Sequence, residues 1–253
     1  MHRIDYDLCV SVWPAALGLS IIGSVGGMLT ASVMLLAHED VRTRVVPWLV
    51  SYAVGTLLGA ALLGLVPEAL SSLKPTHALT ALLVGIMTFF ILEKLVLWRH
   101  CHDDQSCEVH RSTVTLVIVG DAVHTFVDGA VIAAAALVSL PLGVTTALAV
   151  AAHEIPQEAG DFAILLAAGH SRGRAFLLNL TSAVGGLVGA GAMLLFGSDV
   201  PHVVPFVLAF AAGNFLYVAM ADLIPHLHRG TVDRSAIRQV VLIGLGILTI
   251  AAF

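Results

Sequence analysis

Eight stretches of about 20 apolar residues, set end to end with short polar connections, confine this chain to one kind of surroundings. They cover 13–37, 45–66, 77–98, 112–137, 143–169, 175–196, 203–225 and 236–253. On a helical rise of about 1.5 Å per residue, each is long enough for the ~30 Å hydrocarbon layer of a bilayer. Backbone amides in hydrocarbon must bond within their own segment, so each stretch is expected to be a helix. Composition agrees. Hydrophobic residues make up 58% and charged residues 11% of the chain, and mean hydropathy is +0.96, whereas soluble domains carry about 25% charged residues. The expected fold is all-α and integral to the membrane: a single domain over 1–253 with eight transmembrane helices and no soluble domain between them.

The sequence MHRIDYDLC (1–9) carries two aspartates and no basic run, so the first stretch reads as a retained helix rather than a cleaved signal. Basic residues sort by loop. Arg42 and Arg44 follow the first stretch, Lys94, Arg99 and Arg111 flank the third loop, Arg172 and Arg174 lie in the fifth, and Arg229, Arg234 and Arg238 in the seventh, ten of the twelve in all. Only Arg3 and Lys74 fall on the other side. The positive-inside rule then puts the odd loops in the cytoplasm and both termini outside, in a multi-pass protein of the cell membrane, which requires an even number of spans. With positive charge gathered on one face, the net charge of −5 says little about partners. The three cysteines do not read as a disulfide framework: Cys101 and Cys107 would lie in the reducing cytoplasm and Cys9 outside without a partner.

Most spans hold only Ala, Leu, Val and Gly, with small-residue runs such as SAVGGLVGAGA (182–192) that let helices approach closely. The fourth and fifth differ. VGDAVHTFVDGAVIAAA contains Asp121, His124 and Asp128, and HEIPQEAGD (153–161) contains His153, Glu154, Gln157, Glu158 and Asp161. Ionisable residues at that depth are costly and face a polar pathway or bind something. Residues three and four apart share a helix face, so Asp121, His124 and Asp128 form one polar stripe. Glu154, Gln157, Glu158 and Asp161 form a second, with His153 at its edge. Facing each other, the stripes would offer imidazole nitrogen, carboxylate oxygen and amide oxygen together, a set suited to a divalent transition metal. Pro156 has no N–H for the Ala152 carbonyl, so the helix is expected to bend there and free a carbonyl oxygen toward a cavity.

Three other readings compete. A single histidine in a span is commonly a hydrogen-bonded packing residue, although eight polar residues at helical spacing on two neighbouring helices weigh against a purely structural network. HExxH on a helix is a zinc-hydrolase signature, but Gln157 stands at the second histidine and a proline lies inside the motif. A proton or sodium relay, or a proton-coupled carrier of a non-metal solute, uses the carboxylates and leaves both histidines without a task.

DAVHTFVDG (121–129) resembles the His-Asn-Phe-x-Asp-Gly motif in the fourth helix of the ZIP (Zrt/Irt-like) metal transporters, and HEIPQEAGDFAIL (153–165) resembles the His-Glu-x-Pro-His-Glu motif of their fifth. AGNFLYVAMADLIPHLH (212–228) is similar to the seventh helix of that family, and LLGLVPEAL (62–70) to the end of its second. The resemblance implies eight helices in a three-two-three arrangement, both termini outside, and a binuclear metal site between helices four and five. It makes His124, Asp128, His153 and Glu154 metal ligands, with Gln157, in the second His position, a fifth candidate. Thr125 stands where the family usually has Asn, and Ala60 and Gly64 where many members have Asp and His. Each replacement removes or weakens a donor, so metal is expected to be held less tightly or with more water. Asp121, Glu158 and Asp161 then orient the ligands or pack helices, and Asn214 and Asp222 tie helices together.

The loop RHCHDDQSCEVHRS (99–112) concentrates His, Cys and Asp at short spacing, a pattern for transient metal capture or a solvated connector; His226 and His228 have weaker claims. The expected function is uptake of a divalent metal, Zn2+ first and Fe2+, Mn2+ or Cd2+ after it, into the cytoplasm by alternating access, with no enzymatic activity. A zinc-dependent intramembrane hydrolase is the runner-up. Expected partners are the metal ions and the lipid bilayer, with no nucleic acid and with a homodimer left open. Ligands must be deprotonated to bind metal, so affinity is expected to fall on acidification.

Overall fold

The computed structural model describes every residue except 1–5, 36–38, 101–108, 198–200 and 228–233. The described residues are all helical or in short connections. Eight rods follow in order: α1 (6–35), α2 (39–72), α3 (Pro75–His100), α4 (Val109–Val138), α5 (Leu140–Ala167), α6 (Arg172–Gly197), α7 (204–227, after a 3₁₀ turn Pro201–Val203) and α8 (Arg234–Ala251). Six contain stretches long and apolar enough to cross a membrane: Val12–Met34, Arg44–Ser72, Pro75–Leu95, Val117–Val138, Arg172–Gly197 and Val204–Leu227. α5 has the length, at 28 residues, but its His, Glu, Gln and Asp side chains make it too polar to join them. α8 contributes the shorter apolar segment Ala236–Ala251.

Small residues set how the rods pair. α4 lies along α6, α3 along α7 and α2 along α8, while α5 packs among α1, α2 and α4. A Cβ at Gly129 would run into the Gly186 carbonyl and one at Gly189 into that of Phe126, so α4 and α6 meet backbone to backbone. Gly85 and Gly213 do the same between α3 and α7, as do Gly55 and Gly246 between α2 and α8. Where lipid is as apolar as Leu, such close van der Waals contact is what holds helices together. The main core cluster runs through Val54, Leu57, Ile132, Val150, Leu208 and Phe215.

Three rods widen into single π-helical segments, Ile21–Val25 in α1, Ala60–Leu65 in α2 and Val218–Leu223 in α7. In α2 and α7 a proline follows two residues later, Pro67 and Pro225. The widened turn draws the carbonyl four residues back, Leu63 or Ala221, away from the proline ring that would otherwise strike it. α5 is helical from Leu140 to Ala167, straight through Pro156, whose missing N–H leaves the Ala152 carbonyl without its helical donor. The π-helical turns lie in α1, α2 and α7.

Both ends of α5 are fixed by local chemistry. The connection from α4 is the single residue Ser139, whose hydroxyl accepts the Leu142 amide at 3.3 Å, with Pro141 in the first turn where no amide donor is needed. At the other end Gly169 adopts φ +84°, and the Gly169 and His170 amides return to the Leu166 and Leu165 carbonyls, a glycine-closed C-cap. α4 and α5 are thus an antiparallel hairpin with almost no loop.

Candidate metal centre

The two polar stripes face each other across this hairpin. His124, Asp128, His153 and Glu154 are all buried, and one ligand atom from each falls within 4.8 Å of the others, a grouping that could hold an ion. His124 Nε2 lies 3.2 Å from His153 Nε2. Asp128 Oδ2 lies 3.3 Å from the first of these and 3.2 Å from the second. Glu154 Oε1 stands 4.0 Å from His153 Nε2.

The His153 ring is oriented from behind. Its Nδ1 sits 3.0 Å from the Ala149 carbonyl, which can only accept, so Nδ1 donates the proton and a neutral ring leaves Nε2 bare toward the centre. A bare nitrogen and carboxylate oxygens at contact distance repel unless a proton on His124 Nε2 or a cation lies among them. The spacings are close to those around a metal cation: bonds of about 2.0–2.2 Å in a tetrahedron put neighbouring donor atoms ~3.3–3.6 Å apart. Asp128 Oδ1 and both Glu154 oxygens have no hydrogen-bond partner in the protein, leaving three carboxylate oxygens free to bind a metal or its waters.

Neighbouring helices shape the space. Phe89 of α3 sets its edge to the His124 ring at 5.4 Å, Phe215 of α7 lies 5.8 Å from the His153 ring, and the two imidazoles stand 5.4 Å apart at 84°. These rings hold the imidazoles by edge-to-face contact and keep water from that side. α1 comes so close at Gly27 that a Cβ there would lie 2.6 Å from Glu154 Cβ. Phe89, Phe215 and Gly27 carry no sequence signal by themselves, since Phe and Gly are common in every span and only tertiary packing brings these three to the ligands.

The remaining predicted residues divide. Gln157 is turned to Asp121, its amide donating to Oδ1 at 3.1 Å. Thr125 is a joint rather than a ligand: its hydroxyl lies 2.8 Å from the Asp121 carbonyl and 2.9 Å from the Ser182 carbonyl of α6. Ala60 is buried in the π segment of α2, and Gly64 packs against Leu142. Asn214 and Asp222 do not tie helices as expected. Neither polar atom of the buried Asn214 side chain finds a partner, and the half-exposed Asp222 engages His226 of its own helix at 3.7 Å. Asp222 lies in the π segment at the end of α7, within electrostatic reach of His124, His153 and Asp161 but without a hydrogen bond to them among the described residues. Tyr217 donates to Glu93, a link between α7 and α3 made by residues that gave no signal in the sequence. In the loop 99–112, residues 101–108, Cys101 and Cys107 among them, lie outside the described residues, as does His228; the side chains of Cys9, His100 and His110 are likewise not described.

Membrane-length helices enclosing two imidazoles and two carboxylates define the class: a multi-pass membrane protein with an interior site able to hold a metal ion. The family model "ZIP Zinc transporter" matches residues 97–253. Zinc transporter ZIP13 of Pongo abelii is 32% identical over 271 residues, covering all of this chain and 80% of its own length. The human ZIP13 is 29% identical over 309 residues, covering all of this chain and 82% of its own length. Mouse zinc transporter ZIP10 is 38% identical over 138 residues, 53% of this chain and 17% of its own length. The chain belongs to the ZIP zinc transporter family.

Proposed function

We propose that this chain is a transporter of divalent metal ions, Zn2+ foremost, and not an enzyme. One observation carries the reading: His124, His153 and Asp128 bring three donor atoms within 3.2–3.3 Å of one another in the protein interior. In this reading His124, Asp128, His153 and Glu154 bind the ion directly. Gln157 joins them through its amide oxygen while its nitrogen stays on Asp121. Fe2+, Mn2+ and Cd2+ are further cargo, bound less tightly than zinc by the imidazole pair in the case of Mn2+ and Fe2+. The residues 1–253 act as one domain of eight spans in a three-two-three arrangement in the cell membrane, with both termini outside and metal carried toward the cytoplasm by alternating access. A homodimer is compatible with this arrangement.

The test is uptake of zinc into vesicles containing the purified chain, with other divalent metals as competitors. Glu154→Ala removes a buried charge and two donor oxygens, so uptake is expected to vanish while the variant still inserts and purifies. Undiminished uptake by a well-expressed Glu154→Ala protein would remove the ligand assignment, and failure of every divalent metal to move would remove the transport reading itself.

A further inference from the structure

A second group of polar side chains lies beyond the metal centre, on the side away from the Ser139 turn. α4 and α5 are antiparallel, so Asp121, three residues before His124, and Glu158, four after Glu154, are displaced in the same direction. α6 adds Asn179 and Ser182 from near its own start, which joins α5 through the Gly169 turn. Glu158 is fully buried and Asn179 is 2% exposed.

Glu158 does not behave as a packing group. A carboxylate that merely held helices together would accept hydrogen bonds, as Asp121 does from Gln157. Among the described residues no donor meets either oxygen of Glu158 in good hydrogen-bond geometry, and the Asn179 amide beside it, within reach of the carboxylate, has its nitrogen likewise unpaired. Asp121 and Asp161 lie within electrostatic reach of Glu158, and among the described residues neither Lys nor Arg faces any of the three acids. A buried carboxylate with a single neutral amide beside it and no Lys or Arg counter-charge is costly to keep ionised, and a bound cation removes that cost as a proton does.

We propose that Glu158, Asp121 and Asn179 form a second cation station, one helical turn from the metal centre, which holds the divalent cargo as a partly hydrated ion between the centre and the membrane face of the Gly169 turn. It rests on the transport reading above. The station differs from a second metal sharing Asp128 and Glu154, because none of its three side chains belongs to the centre. Gln157 links the two: it lies on the ligand stripe of α5 and bonds to Asp121 of the station. Donors at the station are oxygens alone, without imidazole. Such a set binds zinc more weakly than the centre does and discriminates less between metals, which suits a site that an ion must leave quickly. To bind the ion the Asn179 amide would turn its oxygen toward it, while the Ser182 hydroxyl donates to the Asn179 backbone carbonyl at 2.9 Å within the same helix.

Equilibrium dialysis of the purified full-length chain against radioactive zinc tests this directly. The wild type is expected to bind a tight and a weak ion. Glu158→Gln, which keeps shape and loses charge, should lose the weak ion and keep the tight one, and its vesicle uptake should fall about tenfold, with affinity at the station governed by ligand charge. His153→Ala should do the opposite, losing the tight ion and keeping the weak one. Asn179→Asp adds a carboxylate and should tighten the weak ion by about tenfold, giving a gain that misfolding cannot imitate. If Glu158→Gln and Asn179→Asp bind both ions with wild-type affinities, or if the wild type binds a single ion, the station is overturned while the centre stands. If the wild type binds no zinc, the transport reading falls with it.

Discussion

At the scale of single residues, the four ligands differ in what holds them. His153 is oriented by the Ala149 carbonyl and an aromatic edge, whereas Glu154 is held only by helix packing, with both oxygens free. Gln157 is the informative departure. It occupies the i+4 position from His153 on α5, where an imidazole would share the ligand face. Gln157→His is expected to lower the half-saturation for zinc by about tenfold and to sharpen discrimination against manganese, since nitrogen donors favour zinc along the Irving–Williams order. Maximal uptake need not rise, because tighter binding slows release. Zinc uptake with manganese as competitor measures both numbers; if neither moves, position 157 serves Asp121 alone. The clustering of His124, Asp128, His153 and Glu154 was legible in the sequence because charge in an apolar helix has few other uses and because the 3- and 4-residue spacing fixes a common face. The roles of Asn214 and Asp222 were misread, since spacing on one helix says nothing about what the neighbouring helix presents.

Among helices, the decisive contact is between α1 and α5 at Gly27. A methyl group there would sit 2.6 Å from Glu154 Cβ, too near for any rotamer change to relieve, so α1 must move or Glu154 must. Gly27→Ala is expected to cost about 1–3 kcal/mol, the usual range for overpacking. It should also weaken zinc binding, because the side chain displaced is a ligand. Thermal unfolding in detergent and zinc dialysis on the same preparation separate the two effects; an unchanged affinity alongside lowered stability would show that Glu154 tolerates the shift. All eight helices were legible from hydropathy and length, with ends shifted by a few residues. The π segments were not: in α2 and α7 each ends two residues before a proline, while Pro156 lies inside the continuous helical span of α5.

For the molecule as a whole, orientation is the property most open to direct test. The proposed topology of eight spans, with ten of twelve basic residues on one side, would put Cys101 and Cys107 in the cytoplasm and Cys9 outside. A membrane-impermeant thiol reagent applied to intact cells should label Cys9 and spare the other two; the reverse pattern would invert the proposed direction of transport. The way the rods pair was beyond the sequence. Glycines at 55, 85, 129, 189, 213 and 246 stand at backbone contacts between rods that are not neighbours in sequence, and small residues are too frequent in this chain for their partners to be read in advance.

The single-residue turn at Ser139 also bears on how the protein is made. Every proposed ligand of the centre lies between His124 and Gln157, within one hairpin, so this part of the molecule can form while α6, α7 and α8 are still being synthesised. α5 needs that timing. Its buried acids make it a poor candidate to partition into lipid alone, where an Asp at the middle of a span costs about 2.5–3.5 kcal/mol, whereas α4 is apolar enough to lead. Leaving the translocon as a pair, the two helices would cover each other's polar stripes before either met lipid. In a glycosylation-based insertion assay, a segment carrying α5 alone should insert poorly and one carrying α4 and α5 together should insert well. Lengthening the Ser139 turn with about ten flexible residues should lower the yield of inserted hairpin, because closing a longer loop is entropically costlier; equal insertion of α5 with and without α4 would show that the membrane accepts its charges without help.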